Sequence, residues 1–165
     1  MKKNMKMDMK MKRQLNRLLL TLLVFVSATI IVKAQDQNPV IWTVGAAKAA
    51  DGNYAITLTA VLPAPWHIYS QHTPDGGPVP TSISFSKNPL VTLVGKPKEK
   101  GDLKTTHDKN FGVDVKYYGD KVQFIQTVKV KAGIKTNVSG SVNFMVCNDH
   151  ECLPPSSWKF SVKLN

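Results

Sequence analysis

The feature that most constrains this chain is a succession of short runs in which apolar and polar residues alternate, each closed by turn-forming residues. Tyr54 to Leu62 (YAITLTAVL) is the clearest. Tyr54, Ile56, Leu58 and Ala60 fall on one side of an extended chain, and Ala55, Thr57, Thr59 and Val61 on the other. A period of two sends successive side chains to opposite faces of a sheet, the pattern of a half-buried strand. Further strands are predicted at Val40 to Val44, Trp66 to Tyr69, Thr81 to Phe85, Leu90 to Val94, Val113 to Tyr118, Val122 to Val130 and Ser139 to Val146. The last follows Pro155, where Trp158, Phe160, Val162 and Leu164 alternate. Asp51-Gly52-Asn53, Gln71 to Pro80, Gly119-Asp120 and Lys131 to Asn137 read as turns and loops. Lys96 to Gly112 is the longest stretch without a clear period, which marks it as a candidate functional loop. No helical period stands out after the first thirty-odd residues. About seven to nine short strands at this spacing predict an all-β, immunoglobulin-like antiparallel β-sandwich, with a small barrel as the alternative.

The N-terminal segment has a different character. Lys2, Lys3, Lys6, Lys10, Lys12, Arg13 and Arg17 precede an apolar run from Leu18 to Val32 that ends in Val32-Lys33-Ala34. A basic region, a short apolar core and a small residue at the cut describe a secretory signal peptide over residues 1–34, cleaved after Ala34. The apolar run is shorter than the roughly 20 residues of a spanning helix, and an uncleaved anchor is the alternative. The remaining 35–165 suits one domain with a single core. Its charge is modest: 14 of the 22 basic residues lie there, all lysine, against 10 of the 11 acids, a net +4. Scattered lysines without arginine forks argue against nucleic acid as a partner. Export implies a compartment in which disulfides persist.

Both cysteines lie in Phe144 to Pro155 (FMVCNDHECLPP), on the connection between two predicted strands. Two readings stand side by side. Cys147 and Cys152 can form a static disulfide, or a thiol–disulfide exchange pair. A bridge closing so short a loop restrains the unfolded chain by only about 2 kcal/mol, against over 4 for a loop of about 100 residues. Such a bridge is a poor staple and a suitable redox site. Asp149 and Glu151 place negative charge beside both sulfurs, which disfavours thiolate and suits a pair that donates electrons; His150, if protonated, offsets this in part. Cys147, His150 and Cys152, with His67, His72 or His107, form a third, metal-carrying alternative. The C-x2-H-x-C spacing is not that of a zinc knuckle, and no metal or cofactor is expected.

CNDHECLPP, between two alternating strands, resembles the active-site hairpin of the N-terminal domain of DsbD-type thiol:disulfide interchange proteins. WHIY (Trp66 to Tyr69) is similar to that family's aromatic strand, and HDKNFG (His107 to Gly112) to its cap loop. The resemblance extends over most of residues 36–165. It implies an immunoglobulin-like periplasmic domain, a monomer acting as a protein-disulfide reductase. The electron donor is then a thioredoxin-like or membrane protein, and the acceptors are exported disulfide-containing proteins. By position, Cys152 attacks a substrate disulfide and Cys147 resolves the mixed disulfide. Phe111 belongs to a cap over the pair, with Asp108 and Tyr69 as active-site neighbours. The family commonly has one more residue between the cysteines than the four found here. Neither a membrane domain nor a thioredoxin-like domain follows in these 165 residues, which implies a donor on a separate chain.

Overall fold

Between residues 38 and 164 the runs of alternating residues become strands. The computed structural model describes Gln14 and residues 38–164 other than Ala50, Asn110 and Ala132. The expected signal peptide and its cut after Ala34 lie, Gln14 apart, outside the described residues. Between residues 38 and 164 the described elements are all strands, paired antiparallel.

One layer is a four-stranded sheet in the order β1 (Ile41–Lys48), β2 (Tyr54–Val61), β8 (Lys121–Val130), β5 (Val91–Gly101). The second layer is built on one long strand interrupted only at Met145. Its lower part, β9 (Thr136–Phe144), lies between β11 (Ser156–Leu164) and β4 (Ser82–Phe85). Its upper part, β10 (Val146–Cys147), pairs with β3 (His67–Tyr69), which continues to β7 (Val113–Gly119) and the edge strand β6 (Lys104–Asp108). Chain reversals between paired strands account for the antiparallel arrangement, and the result is the expected all-β sandwich of immunoglobulin type.

The inner faces meet in one core. Ile56, Leu58 and Ala60 of β2 and Val122, Phe124 and Val128 of β8 pack with Val138, Val142 and Phe144 of β9, and with Ile68, Tyr118 and Val146 above them. These are the alternate residues that the period of two assigns to one face. Trp42 of β1 stacks on Trp158 of β11, ring centroids 5.4 Å apart, and so joins the two layers at one edge. Gln126 is the polar exception on the core face of β8, only 2 % exposed. Its amide donates to the carbonyls of Thr127 (2.7 Å) and Val94 (3.1 Å), the latter beside a bulge in β5, so its burial leaves the donor satisfied. Gly140 has a steric reason: a Cβ there would meet the Ser84 carbonyl and the Phe160 ring.

Three boundaries differ from the sequence reading. The first strand continues past Val44 to Lys48, because Gly45 to Lys48 pair with Thr57 back to Tyr54. The next strand of the second layer begins at Thr136, shortening the turn expected over Lys131 to Asn137. The supposed loop from Lys96 to Gly112 is largely strand: β5 runs to Gly101 and β6 follows at Lys104. The register of β5 shifts between Val94 and Lys98, after which Lys98 to Gly101 pair with Ile125 back to Val122. A bulge breaks the period of two, and an edge strand with solvent on one side keeps lysines that a central strand would not.

Candidate redox site

The second layer ends upward in a hairpin. The chain rises through β9 and β10 to Cys147, reverses over Asn148 to Glu151 and returns at Cys152. The Asn148 side chain organises the reversal: its Oδ1 accepts from the backbone N–H of His150 and of Glu151, each at 2.8 Å. The Asn148 N–H donates to the Glu151 carbonyl (2.9 Å), and the Leu153 N–H to the Val146 carbonyl (2.9 Å). Asparagine is suited to this position because its short amide mimics a turn of backbone. Cys147 and Cys152 are thereby opposed as an antiparallel bridge, Cα atoms 4.0 Å apart, and are joined as a disulfide. Below the tip the ladder breaks. Cys147 faces Cys152 and Phe144 faces Ser156, so the returning side carries one more residue than the outgoing side. Pro154 and Pro155, which have no N–H to give a ladder, occupy this gap.

The bed of the hairpin is the outer face of β3 and β7. Cys147 pairs across the ladder with His67, and Tyr69 with Tyr117. Period two therefore gathers Cys147, His67, Tyr69 and Tyr117 on the face opposite Ile68, Tyr118 and Val146. The His67 Nε2 lies 3.3 Å from the Tyr69 hydroxyl, and the His67 and Tyr117 ring centroids are 4.7 Å apart. Burial lowers the His67 pKa below its ordinary value, opposed by the Asp149 carboxylate, a hydrogen bond to the Pro65 carbonyl and the Asp108 carboxylate. Burial first, then the charge of Asp108 and the neighbouring Tyr117, push the Tyr69 hydroxyl up to about 12. Neutral side chains thus surround the inner sulfur.

A cleft of about 910 Å³ opens beside the disulfide, bounded by the hairpin, β3, β7 and β6. The two sulfur-bearing residues differ in access: Cys147 is 2 % exposed, whereas Cys152 is exposed at the mouth. Cys152 is therefore the more accessible of the two.

Of the residues singled out from the sequence, Cys147, Cys152, His150, Tyr69 and Asp108 all line this cleft. Phe111 sits on the turn between β6 and β7, 37 % exposed, and is not among the lining residues. Its N–H approaches the Asp108 carboxylate at 3.4 Å, and the Gly112 N–H donates to the Asp108 carbonyl at 2.7 Å. Gly112 takes a φ of +68°, which closes the turn. His107 also lines the cleft and pairs with Asp114 at 2.9 Å, while His72 is exposed on the loop after β3. His67 and Tyr117 are the residues that sequence reading undervalued. The signal was present in WHIY, whose alternation separates His67 and Tyr69 from Ile68. In the disulfide form neither sulfur is a thiolate ligand, and no group of three or more His, Cys, Asp or Glu residues among those described is placed to hold a metal ion.

A β-sandwich with a hairpin-tip disulfide beside an aromatic and histidine bed defines a class of thiol–disulfide domain. Residues 37–164 match the family model described as "Thiol:disulfide interchange protein DsbD, N-terminal", and the chain belongs to that family. Among solved structures it resembles the reduced DsbD N-terminal domain of Neisseria meningitidis, with a TM-score of 0.54 and 13 % identity over 77 % of this chain and 86 % of that one. It also resembles the N-terminal periplasmic domain of ScsB from Proteus mirabilis, with a TM-score of 0.54 and 18 % identity over 81 % of this chain and 49 % of that one. At these identities the structural likeness speaks for the fold. No curated protein matches the chain.

Proposed function

We propose that the domain passes electrons by thiol–disulfide exchange at Cys147 and Cys152, receiving them from a thioredoxin-like or membrane donor and delivering them to exported disulfide proteins. The observation that carries this reading is the unequal access of the two cysteines at the rim of an open cleft. A donor thiolate attacks the Cys152 sulfur and displaces Cys147. The donor's second thiol then releases the reduced domain. In the delivering direction the Cys152 thiolate attacks the acceptor's disulfide, and Cys147 resolves the mixed disulfide. Family membership and the periplasmic domain of the ScsB relative support placement in the periplasm. The basic and apolar pattern of residues 1–34 supports their role as the export signal, which leaves 35–165 as the working domain.

The turn bearing Phe111 borders the cleft through His107, Asp108 and Lys109, and we assign it the role of a cap that limits access to Cys152. Equilibration with glutathione or dithiothreitol buffers tests the exchange reading. A reduction potential of roughly −200 to −270 mV is expected, whereas a value well below about −300 mV marks a structural bridge and ends the relay reading. After reduction, Cys152 is expected to alkylate faster than Cys147. The Cys147→Ala protein is expected to retain donor or acceptor proteins as mixed disulfides on Cys152.

A further inference from the structure

Resolution of a mixed disulfide on Cys152 requires Cys147 to lose its proton, and the surroundings of Cys147 make that difficult. At 2 % exposure the residue is out of reach of bulk bases, and burial among Tyr69 and Val115 disfavours a thiolate. Asp149 and Glu151 are on the exposed part of the hairpin loop. The cross-strand partner of Cys147 is His67, on the same face of the ladder, where directly opposed Cβ atoms lie about 4.5–5.5 Å apart.

We infer that the His67 imidazole is the base that accepts the Cys147 proton during resolution, an inference that rests on the exchange reading above. The Tyr117 ring and a hydrogen bond from the ring N–H to the Pro65 carbonyl orient the imidazole, which leaves the other nitrogen, Nε2, 3.3 Å from the Tyr69 hydroxyl, as the acceptor. Its burial keeps the imidazole neutral near pH 7 and so able to take a proton. The other charged or titratable groups lining the cleft are Asp149, His150 and Glu151 on the hairpin, Asp102, Lys104, His107, Asp108 and Lys109 on and beside β6, Asp120 on the turn before β8 and Lys121 at its start, besides Tyr69 and Tyr117. Asp149 and Asp108 favour the imidazolium once it forms. The step balances as follows. The Cys147 S–H bond breaks and its proton passes to the imidazole; the resulting thiolate attacks the Cys152 sulfur. The bond from Cys152 to the acceptor's sulfur breaks, and that sulfur leaves as a thiolate, which takes back the proton. The Cys147 and Cys152 thiols are oxidised to the disulfide, and the acceptor's disulfide is reduced by two electrons to two thiols.

Rapid mixing of the reduced protein with dithionitrobenzoate separates the steps, because each releases one coloured thionitrobenzoate. The first phase is attack by Cys152 and the second is resolution by Cys147. In the wild type the second phase should level off near neutral pH and fall as acid protonates His67. In His67→Gln it should slow at least about tenfold at pH 7 and keep rising with pH above 8, with the first phase unchanged. Imidazole should partly restore the second phase in His67→Ala. A second phase with the same rate and pH profile in His67→Gln as in the wild type overturns the inference. If the wild type shows no second phase in the native state, the exchange reading itself fails. Equal thermal midpoints for wild type and His67→Gln, within a few degrees, separate a lost base from a lost fold.

Discussion

Glu99 is a carboxylate on an edge strand whose removal should be felt across the fold. Its Oε2 accepts from the Ser70 hydroxyl (2.7 Å) and the Tyr118 hydroxyl (2.8 Å), and its Oε1 from the Gln71 N–H (2.7 Å). One side chain on β5 thus ties the first layer to β7 and to the segment directly after β3, the strand that carries His67 and Tyr69. Ser70 is fully buried and Tyr118 is 3 % exposed, so neither hydroxyl readily turns to water. In Glu99→Ala two buried hydroxyls lose a charged acceptor, each costing about 1–3 kcal/mol, while the Gln71 N–H loses its acceptor too. Partial solvation of the site lowers the total, and about 3–4 kcal/mol is expected. For a domain of this size that is a fall in thermal midpoint of about 10–20 °C. Tyr118→Phe should cost less, about 1–1.5 kcal/mol, because Ser70 and Gln71 still satisfy the carboxylate. Urea unfolding of the two single variants and the double variant closes a cycle, with a coupling of about 1 kcal/mol expected between Glu99 and Tyr118. A Glu99→Ala cost below about 1 kcal/mol, or no coupling, would refute the idea that this carboxylate locks the layers together.

Asn148→Ala removes the acceptor for two backbone donors of the hairpin and should cost about 1–2 kcal/mol in urea unfolding. The loss should be larger in the reduced protein, where no disulfide holds the turn; equal losses in both states would count against the side chain organising the tip. Stability should also depend on pH at both ends. The folded His67 pKa is lowered, so the unfolded chain binds more protons as pH falls below about 6.5, and stability declines with acid. The folded Tyr69 pKa is raised to about 12, so the unfolded chain loses its proton first and stability declines as pH climbs from about 10 to 12. Denaturation across these ranges, compared with His67→Gln and Tyr69→Phe, should flatten the acid and alkaline limbs respectively.

Much of this protein is legible along one dimension because strands encode their faces locally. The alternation in Tyr54 to Leu62 marked Ile56, Leu58 and Ala60 as one face, and all three are core. The close cysteine pair before two prolines located the hairpin disulfide, since its partners lie within one turn of chain. What lay beyond sequence reading depended on distant segments. The polar run from Lys96 looked like a loop because its pairing is provided by β8 and its period is broken by a bulge. Glu99 looked like one more surface charge, although its three donors come from residues 19 to 29 positions away. His67 looked like an ordinary histidine because the Cys147 it faces is eighty positions further along.

Most of the strands, the faces they present and the place where two cysteines meet could be read along the chain, because each of these follows from neighbours within a few residues. That Cys147 is sheltered and Cys152 exposed, and that histidine and tyrosine from β3 lie beside the sheltered sulfur, emerges only in three dimensions. Burial and proton transfer depend on what surrounds a side chain in space, and in an antiparallel sandwich those surroundings come from strands far apart in the chain.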